Sequence, residues 1–199
     1  MIEKELWGEL SMDDFSKKIN ELTNILGKPR HKKRLGLEVN DYSYTHLDTR
    51  IRITNGNPVI VQKVGNWVAT HLEREEYELE LPKDVDQILI AYNILINQLN
   101  SQDAHLIIIQ NDNYLFTGDD FEIKLAHQYG RGDVYLFEIE ALTQDVDLSL
   151  VADKYSLKPD LTVKDAEFWQ KFNQRVNIDR KELNDDQLRE LIEDSLKSN

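Results

Sequence analysis

Apolar and polar residues alternate along most of the first two-thirds of the chain, and twice the period lengthens to that of a helix. Residues 2–7 alternate and predict a short strand. Residues 11–26 predict a helix, because Phe15, Ile19, Leu22 and Leu26 form one apolar stripe. Ser11 supplies its N-cap, Asp13 and Asp14 fill its first turn, and Gly27-Lys28-Pro29 ends it. The basic run Arg30-His31-Lys32-Lys33-Arg34 has no apolar period and reads as a solvated loop. Strands are expected over 39–46, 48–54, 59–64 and 74–81, with Asn55-Gly56-Asn57-Pro58 as a hairpin turn. A second helix over 84–100 gathers Val85, Ile88, Leu89, Tyr92, Leu95, Ile96 and Leu99 on one side. Four more strands follow over 105–110, 114–116, 121–127 and 133–142, punctuated by Asn111-Asp112-Asn113 and Gly118-Asp119. From 143 onward the pattern is helical, with Asp145, Thr162 and Asn184 as N-caps and Gln187 in capping-box spacing from Asn184.

This order is strand, helix, four strands, helix, four strands, helices. It describes an α+β protein with an antiparallel sheet large enough to close into a barrel. The chain divides into a sheet domain, residues 1–142, and a helical extension, residues 143–199. Phe168, Trp169 and Phe172 lie at helical spacing and suit docking of that extension on the sheet's exterior.

Residues two apart on a strand share a face. Glu3 and Glu5 do so, as do Arg50 and Arg52 opposite Ile51 and Ile53. Arg74, Glu76, Glu78 and Glu80 oppose Tyr77, Leu79 and Leu81, and Glu138 and Glu140 oppose Phe137 and Ile139. Glu122 and Lys124 form another such pair. A sheet with one wet face shows this routinely. If the faces converge on one lumen, both signs of charge line it, and they must pair or hold ions. A cavity of that kind suits a magnesium–polyphosphate ligand, with bases on phosphate oxygens and carboxylates on the metal.

Composition narrows the classes. With no cysteine there is no disulfide framework, thiolate metal site or cysteine nucleophile. The formal net charge of −13 argues against duplex nucleic acid as a partner. Apolar runs are far short of a membrane span and the start is no signal peptide, so a cytoplasmic location without membrane attachment is expected. No Walker, dinucleotide-glycine or Gly-x-Ser-x-Gly pattern occurs. His31, His46, His71, His105 and His127 show no metal spacing on a helix. Of these, His127 draws attention because it follows Ala126 on a strand that is a candidate for the cavity wall.

Several motifs occur in a familiar order. Glu3-Lys4-Glu5-Leu6 resembles the Glu-x-Glu opening strand of the CYTH (triphosphate tunnel) superfamily, which includes class IV adenylyl cyclases, thiamine triphosphatases and inorganic triphosphatases. Thr49-Arg50-Ile51-Arg52 resembles its Leu-Arg-Ile-Arg strand, and Lys63 resembles its next strand lysine. Arg74-Glu75-Glu76-Tyr77-Glu78-Leu79 resembles its Arg-Glu-Glu-x-Glu-Val, and Leu136-Phe137-Glu138-Ile139-Glu140 its closing Phe-x-Glu-Ile-Glu.

The resemblance implies an eight-stranded antiparallel tunnel. Arg50, Arg52, Lys63, Arg74 and Lys124 would bind the phosphates of the substrate. Glu3 and Glu5 would be catalytic, and would hold Mg²⁺ or Mn²⁺ with Glu138 and Glu140, supported by Glu76 and Glu78. The implied activity is metal-dependent hydrolysis of inorganic triphosphate or a nucleoside triphosphate. The alternatives are an impaired module that binds a nucleotide or polyphosphate, and an adenylyl cyclase. The partner is a small phosphorylated molecule, and a homodimer is compatible with the helical extension. Three departures stand out. Trp7 replaces the Lys or Arg that ends the opening motif, Ala126 replaces an Asp, and Ile107-Ile108-Ile109-Gln110-Asn111 has no base where a Lys-x-Arg pair is usual.

Overall fold

The computed structural model describes residues 4–41, 47–65, 74–98, 104–162 and 166–198. Strand β1 (Glu5–Leu10) leads into helix α1 (Met12–Leu26), whose N-cap Ser11 accepts from the Asp14 amide at 3.0 Å. Then come β2 (Arg30–Asp41), β3 (Leu47–Thr54), β4 (Asn57–Gly65) and β5 (Arg74–Glu80). The β3–β4 turn has Asn55 at φ 47° and Gly56 at φ 72°, the paired positive angles that match a hairpin's twist. A Cβ on Gly56 would also lie 2.6 Å from the Leu196 carbonyl.

Helix α2 (Val85–Gln98) precedes β6 (Ala104–Thr117), β7 (Phe121–Tyr129) and β8 (Val134–Ala141). The chain ends with α3 (Leu148–Lys154), α4 (Ala166–Val176), a short β9 (Ile178–Asp179), a 3₁₀ turn (Arg180–Glu182) and α5 (Asp185–Lys197). Asn184 and Gln187 form the expected capping box, with reciprocal bonds of 2.9 Å. No helix among the described residues is long and apolar enough to cross a membrane.

Eight strands form one antiparallel sheet in the order β1-β8-β7-β6-β2-β3-β4-β5, and β9 adds to β6. Among the described residues no ladder joins β1 to β5, yet the sheet curls far round. Lys63 on β4 comes near enough to Glu138 on β8 for its charge to act there, although four strands separate β4 from β8 in the sheet.

Three sequence readings need correction. The basic run is no loop: it opens β2, with Arg34 opposite Thr54 on β3 and Asn111 on β6. Asn111-Asp112-Asn113 is not a turn but the middle of β6, so three strands rather than four lie between α2 and α3. Helix α3 is capped by Asp147 rather than Asp145. Thr162 bonds Asp160 at 2.6 Å, and 163–165, where its helix was expected to begin, lie outside the described residues, as do 42–46 at the end of the expected 39–46 strand.

The apolar faces of the strands point outward, against helices. Leu6, Ile123, Leu125, Phe137 and Ile139 pack with Phe15 and Leu22 of α1 and Val151 of α3. Leu35, Leu37, Ile51, Ile53 and Ile108 pack with Ile88 and Tyr92 of α2 and Leu188 and Ile192 of α5. Burying these surfaces against helices is the main driving force of the fold. It leaves the charged faces to the concave side.

Candidate functional site

The concave side encloses a cavity of about 220 Å³. Its wall takes Glu5 and Trp7 from β1, Arg34, Gly36 and Glu38 from β2, Arg50 and Arg52 from β3, and Lys63 from β4. Ile109 and Asn111 come from β6, Lys124 and Gln128 from β7, and Leu136 and Glu138 from β8. Period-two alternation places them there: Ile51 and Ile53 are fully buried on the outside, so Arg50 and Arg52 must face in. The wall thus carries five cations and three carboxylates.

Most of the cations are already held. Arg50 is clamped between Glu38, at 2.6 Å, and the fully buried Asp48. Arg52 bridges Glu76, at 3.2 Å, and Glu78. Lys63 pairs with Glu76 at 2.9 Å, and Lys124 pairs with Glu138. Such pairs fix long side chains in place, so that less rotamer entropy remains to be lost when a ligand binds. Arg34 differs: its Nε donates to Thr54 Oγ1 at 3.3 Å, and among the described residues it has no carboxylate partner.

Burial works to raise the Glu138 carboxyl, but Lys124, Lys63 and Arg34 outweigh it and hold the pKa below the usual range. A third of its side chain remains accessible, which the cavity explains. Burial likewise opposes ionisation of Glu76, yet its hydrogen bond with Glu78 and the charges of Lys63 and Arg52 bring its pKa from 4.5 down to about 2. A depressed carboxylate stabilises the fold fully above its unfolded pKa and loses that contribution as pH falls through the folded one. Stability is therefore expected to fall between about pH 4.5 and about 2, and the fall is shallower in Glu76→Gln. Urea midpoints across that window check this; parallel slopes would contradict it.

The sequence-selected residues divide as follows. Glu5, Arg50, Arg52, Lys63, Lys124 and Glu138 line the cavity. Glu76 and Glu78 stand behind Arg52. Glu140 lies directly opposite Glu5 in the β1–β8 register but is not part of the lining. Glu3 lies outside the described residues, and of Arg74 only the backbone, on β5, is described. Arg34 and Glu38 were missed, because the one sits in an all-polar run and the other just before the expected 39–46 strand. His127 belongs to the outer face, stacked on Tyr135 at 4.7 Å and 2.6 Å from Asp133.

Helix α4 accounts for two of the departures. It does not dock on the exterior. Phe172 and Val176 pack with Ala126, Val134 and Leu136, residues of the inward face, and Trp7, Phe168 and Trp169 cover them. Trp7 and Trp169 lie 5.6 Å apart between ring centroids. Trp169, Phe172 and Asn173 also line the cavity, so α4 closes one side of it. An indole at position 7 and a methyl at 126 make room for that helix and grip it; a Lys and an Asp there would be charges pressed against aromatic rings.

Among the described residues no three His, Asp or Glu side chains gather closely enough to hold a metal. Glu5 and Glu138 nevertheless share the cavity wall. Mg²⁺ takes one or two carboxylates and completes its shell with water and substrate phosphates. The donor set fits a metal shared with a phosphate ligand and does not fit an all-protein cage.

No family model matches the chain, and no curated protein sequence does. Solved structures share its fold. The PH1012 protein from Pyrococcus horikoshii OT3 is 17% identical with a TM-score of 0.60, over 83% of this chain and 98% of its own. HpAC1 from Hippeastrum, a candidate adenylyl cyclase with a dominant triphosphatase activity, is 15% identical with a TM-score of 0.61, over 86% and 96%. The mimivirus capping enzyme triphosphatase is 10% identical with a TM-score of 0.52, over 77% and 85%. At these identities the likeness establishes the fold alone: the chain shares the architecture of these structures.

Proposed function

We propose that this protein is a metal-dependent phosphohydrolase that binds a triphosphate group in the concave cavity and cleaves a phosphoanhydride bond. The observation that carries this reading is the cavity wall itself, with five cations and three carboxylates in one enclosed space. Shared fold with HpAC1 and the capping enzyme triphosphatase supports it. The cavity, about 220 Å³, is smaller than the roughly 300–1,000 Å³ of sites that enclose drug-sized ligands. It suits inorganic triphosphate, or the phosphate tail of a nucleotide whose nucleoside stays outside.

Phosphoryl transfer leaves little covalent chemistry to the protein; positioning and charge neutralisation dominate. Arg50, Arg52, Lys63 and Lys124 would grip phosphate oxygens, and Arg74 would add to them from β5. Asp48, Glu76 and Glu78 aim Arg50 and Arg52 into the cavity. Glu5 and Glu138 would hold Mg²⁺ or Mn²⁺, which when bound neutralises phosphate charge and acidifies water. Helix α4 and its aromatic residues exclude bulk solvent on one side, which strengthens these interactions.

A second reading, binding without turnover, draws on β6, whose inward residues Ile107, Ile109 and Asn111 carry no charge. Chelation separates the two. With EDTA, phosphate release is expected to fall to background while triphosphate still raises Tm. Release that persists in EDTA would contradict metal dependence. A raised Tm with no release in Mg²⁺ or Mn²⁺ would favour the second reading.

A further inference from the structure

We propose that Arg34 is a phosphate-binding residue of the cavity, placed on β2 where it supplies the positive charge that β6 lacks. The inference rests on the triphosphate reading and names one more contact in it. The antiparallel register puts Arg34 directly opposite Asn111, in the uncharged segment of β6. Both side chains line the cavity. Adjacent strands lie about 4.8 Å apart, so a long side chain on β2 reaches the space that a base on β6 would fill.

The surroundings of Arg34 are costly without a ligand. Among the described residues, its hydrogen bond is the single one from Nε to Thr54 Oγ1, at 3.3 Å. The two Nη groups, the fork that recognises phosphate oxygens in pairs, have no partner there. Arg50 and Arg52, by contrast, are each held by two carboxylates. Burial, and after it the charge of Arg52, depress the Arg34 pKa to about 10 although Glu138 and Glu76 work to raise it, so the group stays charged at neutral pH with its charge only partly offset. A half-buried charge that is only partly offset costs stability. A residue chosen for stability alone would not be this one. An oxyanion in the cavity would meet the free fork and relieve the repulsion from Arg52. Lys32, two residues back on the same face, is also poorly compensated: burial and the charges of Arg30 and Arg34 depress its pKa. The positive potential therefore extends along β2.

Two measurements on the full chain test this: Tm without added anion, and calorimetric affinity for inorganic triphosphate, in wild type, Arg34→Gln and Arg34→Lys. Arg34→Gln is expected to lose about 10- to 100-fold in affinity, the range of a charge-assisted contact, with Tm unchanged or raised. Arg34→Lys keeps the charge without the fork and is expected to fall between. Unchanged affinity in Arg34→Gln would overturn the proposal, and so would loss of affinity together with a lowered Tm, which marks a structural role. Should Arg34→Gln fail to fold, Arg34→Lys decides by the same affinity criterion. A wild type that binds no triphosphate contradicts the triphosphate reading itself, whereas a binding wild type matched by its Arg34 variants contradicts this inference alone.

Discussion

Arg52→Ala is expected to lower kcat/KM for phosphate release from inorganic triphosphate by about 10³-fold. Two unit charges 4 Å apart interact by about 4 kcal/mol at an effective dielectric near 20, and each 1.4 kcal/mol of transition-state stabilisation is about tenfold in rate. Arg52 lines the cavity with Arg50 and Lys63 and is held by Glu76 and Glu78. Truncating it removes one phosphate cation, takes the arginine partner from Glu78 and leaves Glu76 to Lys63 alone, so negative charge beside the ligand rises. Arg52→Lys restores the charge without the bidentate geometry and is expected to recover most of the loss. Steady-state kinetics on the two variants, each with a melting curve, check this. An Arg52→Ala enzyme within threefold of wild type would remove Arg52 from the site.

Glu5→Gln is expected to act differently. It keeps the shape of the side chain and removes its charge, leaving the bases of the wall untouched. The loss therefore falls on kcat, by about 10²–10³-fold, the range seen when one electrostatic contributor to a transition state is removed. KM changes little, because Arg50, Arg52, Lys63 and Lys124 still hold the phosphates. A raised KM with kcat intact would instead make Glu5 a ground-state contact.

Where apolar residues alternated with charge, the sequence was legible. Ile51 and Ile53 announce a buried outer face, so the inward direction of Arg50 and Arg52 followed; Phe137 and Ile139 did the same for Glu138. Both long helices and the Asn184 capping box were legible for the same reason: local periodicity and local hydrogen bonding write them into a few neighbouring residues. The start of β2 was hidden because its first five residues are all basic, on both faces, and nothing in them alternates; only its end, from Val39, fell in an expected strand. Residues 111–113 of β6 looked like a turn because Asn and Asp usually make one. In the fold they run through the middle of a strand, with Asn113 buried and its Oδ1 without a partner among the described residues, and tertiary pairing on both sides overrides the local preference.

The role of α4 was out of reach for another reason. Phe168, Trp169 and Phe172 show that the helix has an apolar face, but not which surface meets it. Trp7 and Ala126 held that information, and read singly they looked like lost catalytic residues. Together with α4 they form one packing unit across the inward ends of β1, β7 and β8. The departures from the motif pattern at these two positions are thus tied to the presence of the helix. The missing charge on β6 is a separate matter, and Arg34 stands next to it.

The central claim is that the cavity hydrolyses a triphosphate group. Phosphate release from inorganic triphosphate, with Mg²⁺ or Mn²⁺, by wild type beside Glu5→Gln tests it most directly. The expected result is metal-dependent turnover by wild type and its near-complete loss in Glu5→Gln, with the variant still folded. Turnover that is equal in both proteins, or absent from wild type with either metal, would contradict the account.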